Sequence, residues 1–142
     1  MKILGMKVVL IVLAFALAAV GQSLPKPEIR LVGVEDRVSN GYAVKAYEIE
    51  VVNRAEYSND LFMEAPVLPP CGQNANAARA WINIYGDREI RLQGLCNIKE
   101  NGELASLRFN LPADRPQPKT MFINLIDRLE GIIVRSNTIK IQ

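Results

Sequence analysis

The chain contains no histidine, so acid–base chemistry would have to come from carboxylates. Ser-His-Asp and Cys-His catalysis are excluded as normally built, as are histidine-held metals. A glycosidase needs only two carboxylates, and Glu48 and Glu50 are the best-placed pair. On an extended segment they share one face, about 7 Å apart at a rise of about 3.3–3.4 Å per residue. No aromatic sugar platform accompanies them, and we expect a solvated sheet face rather than an acid and a base. Asp87 with Glu89, or Asn59 with Asp60, could touch a hard cation. Neither builds the Asp-rich loop of a calcium site, and turn capping by Asn and Asp side chains is the simpler role. No Gly-rich strand-to-helix turn is present for a phosphate or a dinucleotide. The expectation is no catalytic residue, no metal ligand set, no cofactor and no enzyme.

Recognition chemistry is better represented. Arg79, Trp81 and Tyr85 alternate along one segment with Asn83 between them, and these are residue types enriched at binding hot spots. The favoured role for Trp81 is nevertheless a core residue covered by the long loop before it, which would make Arg79 and Tyr85 ordinary edge-of-core residues. That loop carries Leu68-Pro69-Pro70-Cys71, which is stiff and apolar. Asp127 beside Arg128 suggests a carboxylate–guanidinium pair holding the last hairpin, with Arg135 on its far side.

Residues 1–21 read as a secretory signal. Lys2 and Lys7 precede an unbroken apolar run from Val8 to Val20, too short for a bilayer-spanning helix of about 20 residues. Ala19-Val20-Gly21 predicts cleavage before Gln22, and Ala16-Leu17-Ala18 is the earlier register. An uncleaved anchor is the alternative. The chain has 17 Lys and Arg against 15 Asp and Glu, and the leader holds two of the lysines, leaving 15 against 15. A neutral domain gives no electrostatic case for nucleic acid or an anionic membrane. Residues 22–142 make one domain, exported to the periplasm or beyond, with no membrane span after cleavage. Export delivers Cys71 and Cys96 to an oxidising compartment, where an even cysteine count points to a disulfide. Free thiols and a two-thiol metal site are the alternatives, and the latter lacks half a zinc ligand set.

The elements that would position these groups are strands. Period-two alternation recurs between turn residues, and 3.6-residue periodicity is hard to find. Expected strands are Glu28–Val34, Tyr42–Asn53, Arg79–Tyr85, Glu89–Ile98, Leu104–Leu111, Thr120–Asp127 and Ile132–Ile141. Asn40-Gly41 marks a type I′ hairpin turn. Tyr47, Ile49 and Val51 should point one way and Glu48 and Glu50 the other, while Ala80, Ile82 and Ile84 should share a face opposite Arg79, Trp81, Asn83 and Tyr85. Ile90, Leu92, Gly94 and Cys96 should share a face, and Ala105, Leu107, Phe109 and Leu111 another. Ala55–Ala78 reads as a long connection packed through Leu61, Phe62 and Leu68. About seven strands predict an all-β antiparallel sandwich of the immunoglobulin or fibronectin type III kind, with a small closed barrel as the alternative.

Val52-Asn53, Leu61-Phe62, Leu68-Pro69-Pro70-Cys71-Gly72, Arg79-Ala80-Trp81, Cys96, Asp127-Arg128 and Arg135-Ser136-Asn137 together resemble a functionally unassigned family of small exported bacterial proteins. The resemblance spans nearly all of residues 22–142 and includes both cysteines. It implies bacterial export and supports the disulfide, and it brings no activity and no catalytic residues. The function expected is therefore binding of a protein or an envelope component, with the Pro-rich loop 62–76 as its surface. Proteinase inhibition through that loop is one alternative. An accessory structural role in the cell envelope is the other.

Overall fold

The computed structural model describes residues 24–65, 68 and 78–141. The expected leader, Cys71 and the Pro69-Pro70 pair lie outside the described residues. Eight strands are present: β1 Ile29–Ser39, β2 Tyr42–Val51, β3 Ala80–Tyr85, β4 Arg91–Ile98, β5 Leu107–Pro112, β6 Thr120–Asp127, β7 Ile132–Arg135 and β8 Ile139–Lys140. They form two antiparallel sheets. The smaller has the order β1-β2-β5, and the larger has the order β4-β3-β6-β7 with β8 also on β6. That distribution is the fibronectin type III arrangement of a β-sandwich, as expected.

The alternation read from the sequence is the reason the sheets pack. Tyr47, Ile49 and Val51 of β2 and Leu107 and Phe109 of β5 are buried against Ala80, Ile82 and Ile84 of β3 and Met121, Ile123 and Leu125 of β6. Tyr47 and Phe109 are register partners whose rings stack at 5.2 Å. The Tyr47 hydroxyl reaches Gln117 at 2.5 Å, so this buried phenol keeps a hydrogen bond. Asn40 and Gly41 have φ of 51° and 82°, as a type I′ turn requires.

Several details depart from the sequence reading, and β1 runs on to Ser39 where the expected strand ended at Val34. The segment 132–141 is two strands, because β6 residues 122–123 face the three residues 136–138. In that bulge Ser136 is buried, and its Oγ accepts from the Ile123 amide at 2.8 Å. The β5 strand starts at Leu107 rather than Leu104, because Asn101–Ala105 is a tight helical turn. A reciprocal Glu100–Glu103 cap holds that turn, and its buried apolar residue is Leu104, not Ala105. The connection after β2 contains two further turns of this kind, Arg54–Glu56 and Asn59–Phe62, and Leu61 and Phe62 are buried as expected. Finally, register irregularities in the β3–β4 pairing change the phase of β4. Gly94 therefore lies opposite Asn83 on the outer face, while Leu95 lies opposite the buried Ile82.

The two sides of the sandwich differ. On one side the Asn137 side chain joins the sheets, its Oδ1 accepting from the Ile29 amide at 2.7 Å and its Nδ2 donating to the Ile29 carbonyl at 3.1 Å. On the other side β4 and β5 are end strands, each paired along one edge only among the described residues.

Candidate functional site

The expected Trp81–Tyr85 face exists, and it is wider than one strand. Trp81, Asn83 and Tyr85 lie opposite Ile126, Asn124 and Phe122 of β6. Asn124 and Ile126 lie opposite Arg135 and Ile133 of β7. Strand alternation thus places one aromatic and aliphatic surface on the outside of the larger sheet, opposite the core. Tyr85 stacks on Phe122 at 5.0 Å between nearly parallel rings. Arg135 covers the other side of Phe122, its guanidinium carbon 3.7 Å from the ring centre. Arg128 lies over the Trp81 ring at the same distance. Such cation–π contacts contribute about 0.5–1 kcal/mol at exposed positions. Ile133 stands 63% exposed beside them.

Trp81 is half-buried on the outer face, under Arg128, and not in the core where the sequence reading favoured it, because strand alternation gives the inward positions to Ala80 and Ile82. Two polar atoms of this face are buried with no hydrogen-bond partner among the described residues, Trp81 Nε1 and Asn124 Oδ1. Unpaired buried polar atoms are uncommon in folded proteins and cost about 1–3 kcal/mol each. Gly94 clears space on the same surface. A Cβ there would stand 2.2 Å from an Arg91 guanidinium nitrogen and 3.2 Å from Asn83 Oδ1.

Arg79 does not join this face. It precedes β3, and its guanidinium turns to Asp127, with Nε–Oδ1 and Nη2–Oδ2 both at 2.8 Å. The partner expected for Asp127 was Arg128, its chain neighbour. Arg128 instead lies on Trp81 and donates to the Ala78 carbonyl at 3.0 Å. Adjacent strand residues point to opposite faces, so Asp127 goes inward with Ala80 while Arg128 reaches across the edge. The Arg79 bond holds the Asp127 carboxyl below its usual range, against the opposing effect of burial.

The other expected residues are accounted for locally. Leu68 is half-buried, and its amide donates to Ala65 at 3.0 Å. Below it the loop is closed by the Glu64–Ala78 bridge and by the Arg79 amide donating to Met63 at 3.1 Å. Cys96 is half-buried on β4. Glu48 accepts from the Ser106 hydroxyl at 2.7 Å and pairs with Arg108, while Glu50 pairs with Arg30 and Arg54. The Ser106 bond is the first cause of a lowered Glu48 pKa, the opposite of what a general acid needs.

Asp87 and Glu89 diverge. Asp87 accepts from the Lys119 and Thr120 amides and from the Thr120 hydroxyl, at 2.8–3.2 Å. These bonds, the Lys119 amide foremost, lower its pKa. Glu89 reaches Arg135 at 2.9 Å. Between them Arg88 has φ of 55°, and Glu89 itself has φ of 57°. The left-handed region costs a residue with a side chain about 1–2 kcal/mol. No group of three or more Cys, Asp and Glu side chains suited to a metal occurs among the described residues.

Against known proteins, the chain matches no family model, no curated protein and no solved structure. The site is therefore read from its own geometry.

Proposed function

We propose that this chain is an exported β-sandwich that works by binding a protein partner through the outer face of its larger sheet. The observation that carries the reading is the outer face itself, where Trp81 and Tyr85 are half-buried, Ile133 is 63% exposed, and Arg128 and Arg135 are stacked on the Trp81 and Phe122 rings. Aromatic side chains braced by arginines offer large contact area at low entropy cost. Export rests on the composition of residues 1–21, with Lys2 and Lys7 ahead of the apolar run. In an oxidising compartment Cys71 and Cys96 form a disulfide that ties the Pro-rich loop to β4.

The test is capture from the producing cell's own exported fraction, comparing the unaltered protein with Ile133→Glu and Tyr85→Ala. Both variants should keep the fold and lose the captured partner. Capture undiminished by either substitution would remove the outer face from consideration.

A further inference from the structure

The side of the sandwich away from Asn137 holds a second feature, separate from the outer face. A cleft of about 440 Å³ opens where β4 and β5 begin to part, with walls that include Ile90, Leu92, Leu111 and Pro112. Ile90 is 55% exposed there, and Leu92 and Leu111 are only partly buried against the core. Arg88 and Arg115 line the same cleft, and their side chains make no ion pair or hydrogen bond among the described residues. The nearby carboxylates are committed or displaced. Asp87 is held by Lys119 and Thr120, Glu89 is drawn away to Arg135, and Asp114 lines a neighbouring recess that Arg115 also borders, with no ion pair between the two among the described residues. The left-handed backbone at Arg88 and Glu89 produces this division, with Glu89 sent outward and Arg88 left at the cleft.

The edges differ in what they can accept. The β3–β4 pairing is broken by two register irregularities, which makes β4 a poor template. The β2–β5 pairing runs without a break from Ile49–Leu107 to Val44–Pro112, so β5 presents a regular edge. A regular edge beside apolar side chains is the geometry that takes an added strand.

We propose that the cleft between β4 and β5 docks an extended acidic peptide, which adds as a strand to β5, sets alternate apolar side chains against Leu92 and Leu111, and places carboxylates against Arg88 and Arg115. The charge sign follows from Arg88, Arg91 and Arg115 lining the cleft against one carboxylate, Asp87.

The probe is a fluorescent six-residue peptide alternating valine and glutamate, titrated by anisotropy into the full chain. A valine–lysine peptide and a valine–glutamate peptide N-methylated at alternate residues are the comparisons. The acidic peptide should bind, weaken as salt rises, and lose about tenfold or more in affinity to Arg88→Glu/Arg115→Glu, in keeping with charged hydrogen bonds. Both arginines are exposed, and thermal melting confirms that the variant stays folded. N-methylation should abolish binding by blocking the backbone ladder. Equal binding of the lysine peptide, or unchanged affinity in the double variant, overturns the charge assignment. Unchanged binding of the methylated peptide overturns strand addition. A dimer of the chain that buries β5 and excludes every peptide overturns the proposal as a whole. Ile133→Glu, which tests the outer face, should leave peptide binding unchanged.

Discussion

Arg79 and Asp127 are joined by two parallel hydrogen bonds of 2.8 Å, linking the residue before β3 to the last residue of β6. The Asp127 side chain is 5% exposed and that of Arg79 is 19% exposed, so this is a pair largely withdrawn from water. Breaking such a pair strands the remaining charge. Asp127→Ala should cost about 3 kcal/mol in urea unfolding. Arg79→Lys keeps the charge but loses the planar fork, and should be intermediate. The Asp127 pKa is lowered in the folded state, so its contribution is present above the unfolded value of about 3.9 and lost as pH falls through the folded value. Stability should therefore decline on acidification below about pH 4, and Asp127→Asn should flatten that acid limb. An unchanged acid limb in Asp127→Asn would mean the pair is energetically idle.

Asn137 stands in for a missing stretch of ladder between the sheets, satisfying both the amide and the carbonyl of Ile29. Asn137→Ala should destabilise by about 1–3 kcal/mol, since two backbone groups lose their partner. The loss should be local as well as global. Hydrogen exchange at Ile29 should accelerate more than exchange at Ile49, which is fully buried in β2. Equal protection at Ile29 in variant and parent would show that water or another group takes over the bonds.

Asn124 sets stability against recognition. Its Oδ1 has no partner, and a β-branched side chain suits a central strand better. Asn124→Val should raise the thermal midpoint, by up to about 1–3 kcal/mol in stability, because an unpaired buried acceptor is removed. The same variant should capture less partner. A lower midpoint would show that the rest of the amide matters more than the orphaned oxygen.

The cysteine pair is measurable without a partner. If the proposed bridge forms, the protein should be two mass units lighter than its reduced form. In the chain-entropy model a bridge spanning 25 residues between Cys71 and Cys96 contributes about 3.5 kcal/mol. Cys71→Ser/Cys96→Ser should therefore unfold at lower urea. Free thiols detected in the native exported protein would remove the bridge and the loop anchor together.

The alternating segments were legible because each strand buries one face. Tyr47, Ile49 and Val51, and likewise Ala80, Ile82 and Ile84, could be placed from period two alone. The same logic put Trp81 and Tyr85 together on the opposite face. It failed for β4, where Gly94 goes outward because the register shifts. It also failed at 101–105, where a capped helical turn mimics the start of an alternating strand. A bulge and a capped turn each insert residues without changing composition, so alternation cannot report them.

The sequence by itself determined the sandwich, the inward side chains and the aromatic positions of one sheet face, since these depend on contacts of each strand with its own pleat. It also determined the absence of histidine chemistry. Only the tertiary structure decided which arginine takes Asp127, which aromatic rings the other arginines cover, and which side of the sandwich is left open. Those choices join residues such as Arg79 with Asp127, Arg135 with Phe122, and Asn137 with Ile29. Long flexible side chains find partners by distance in space, and a linear pattern of residue types carries no record of that distance until the strands are paired.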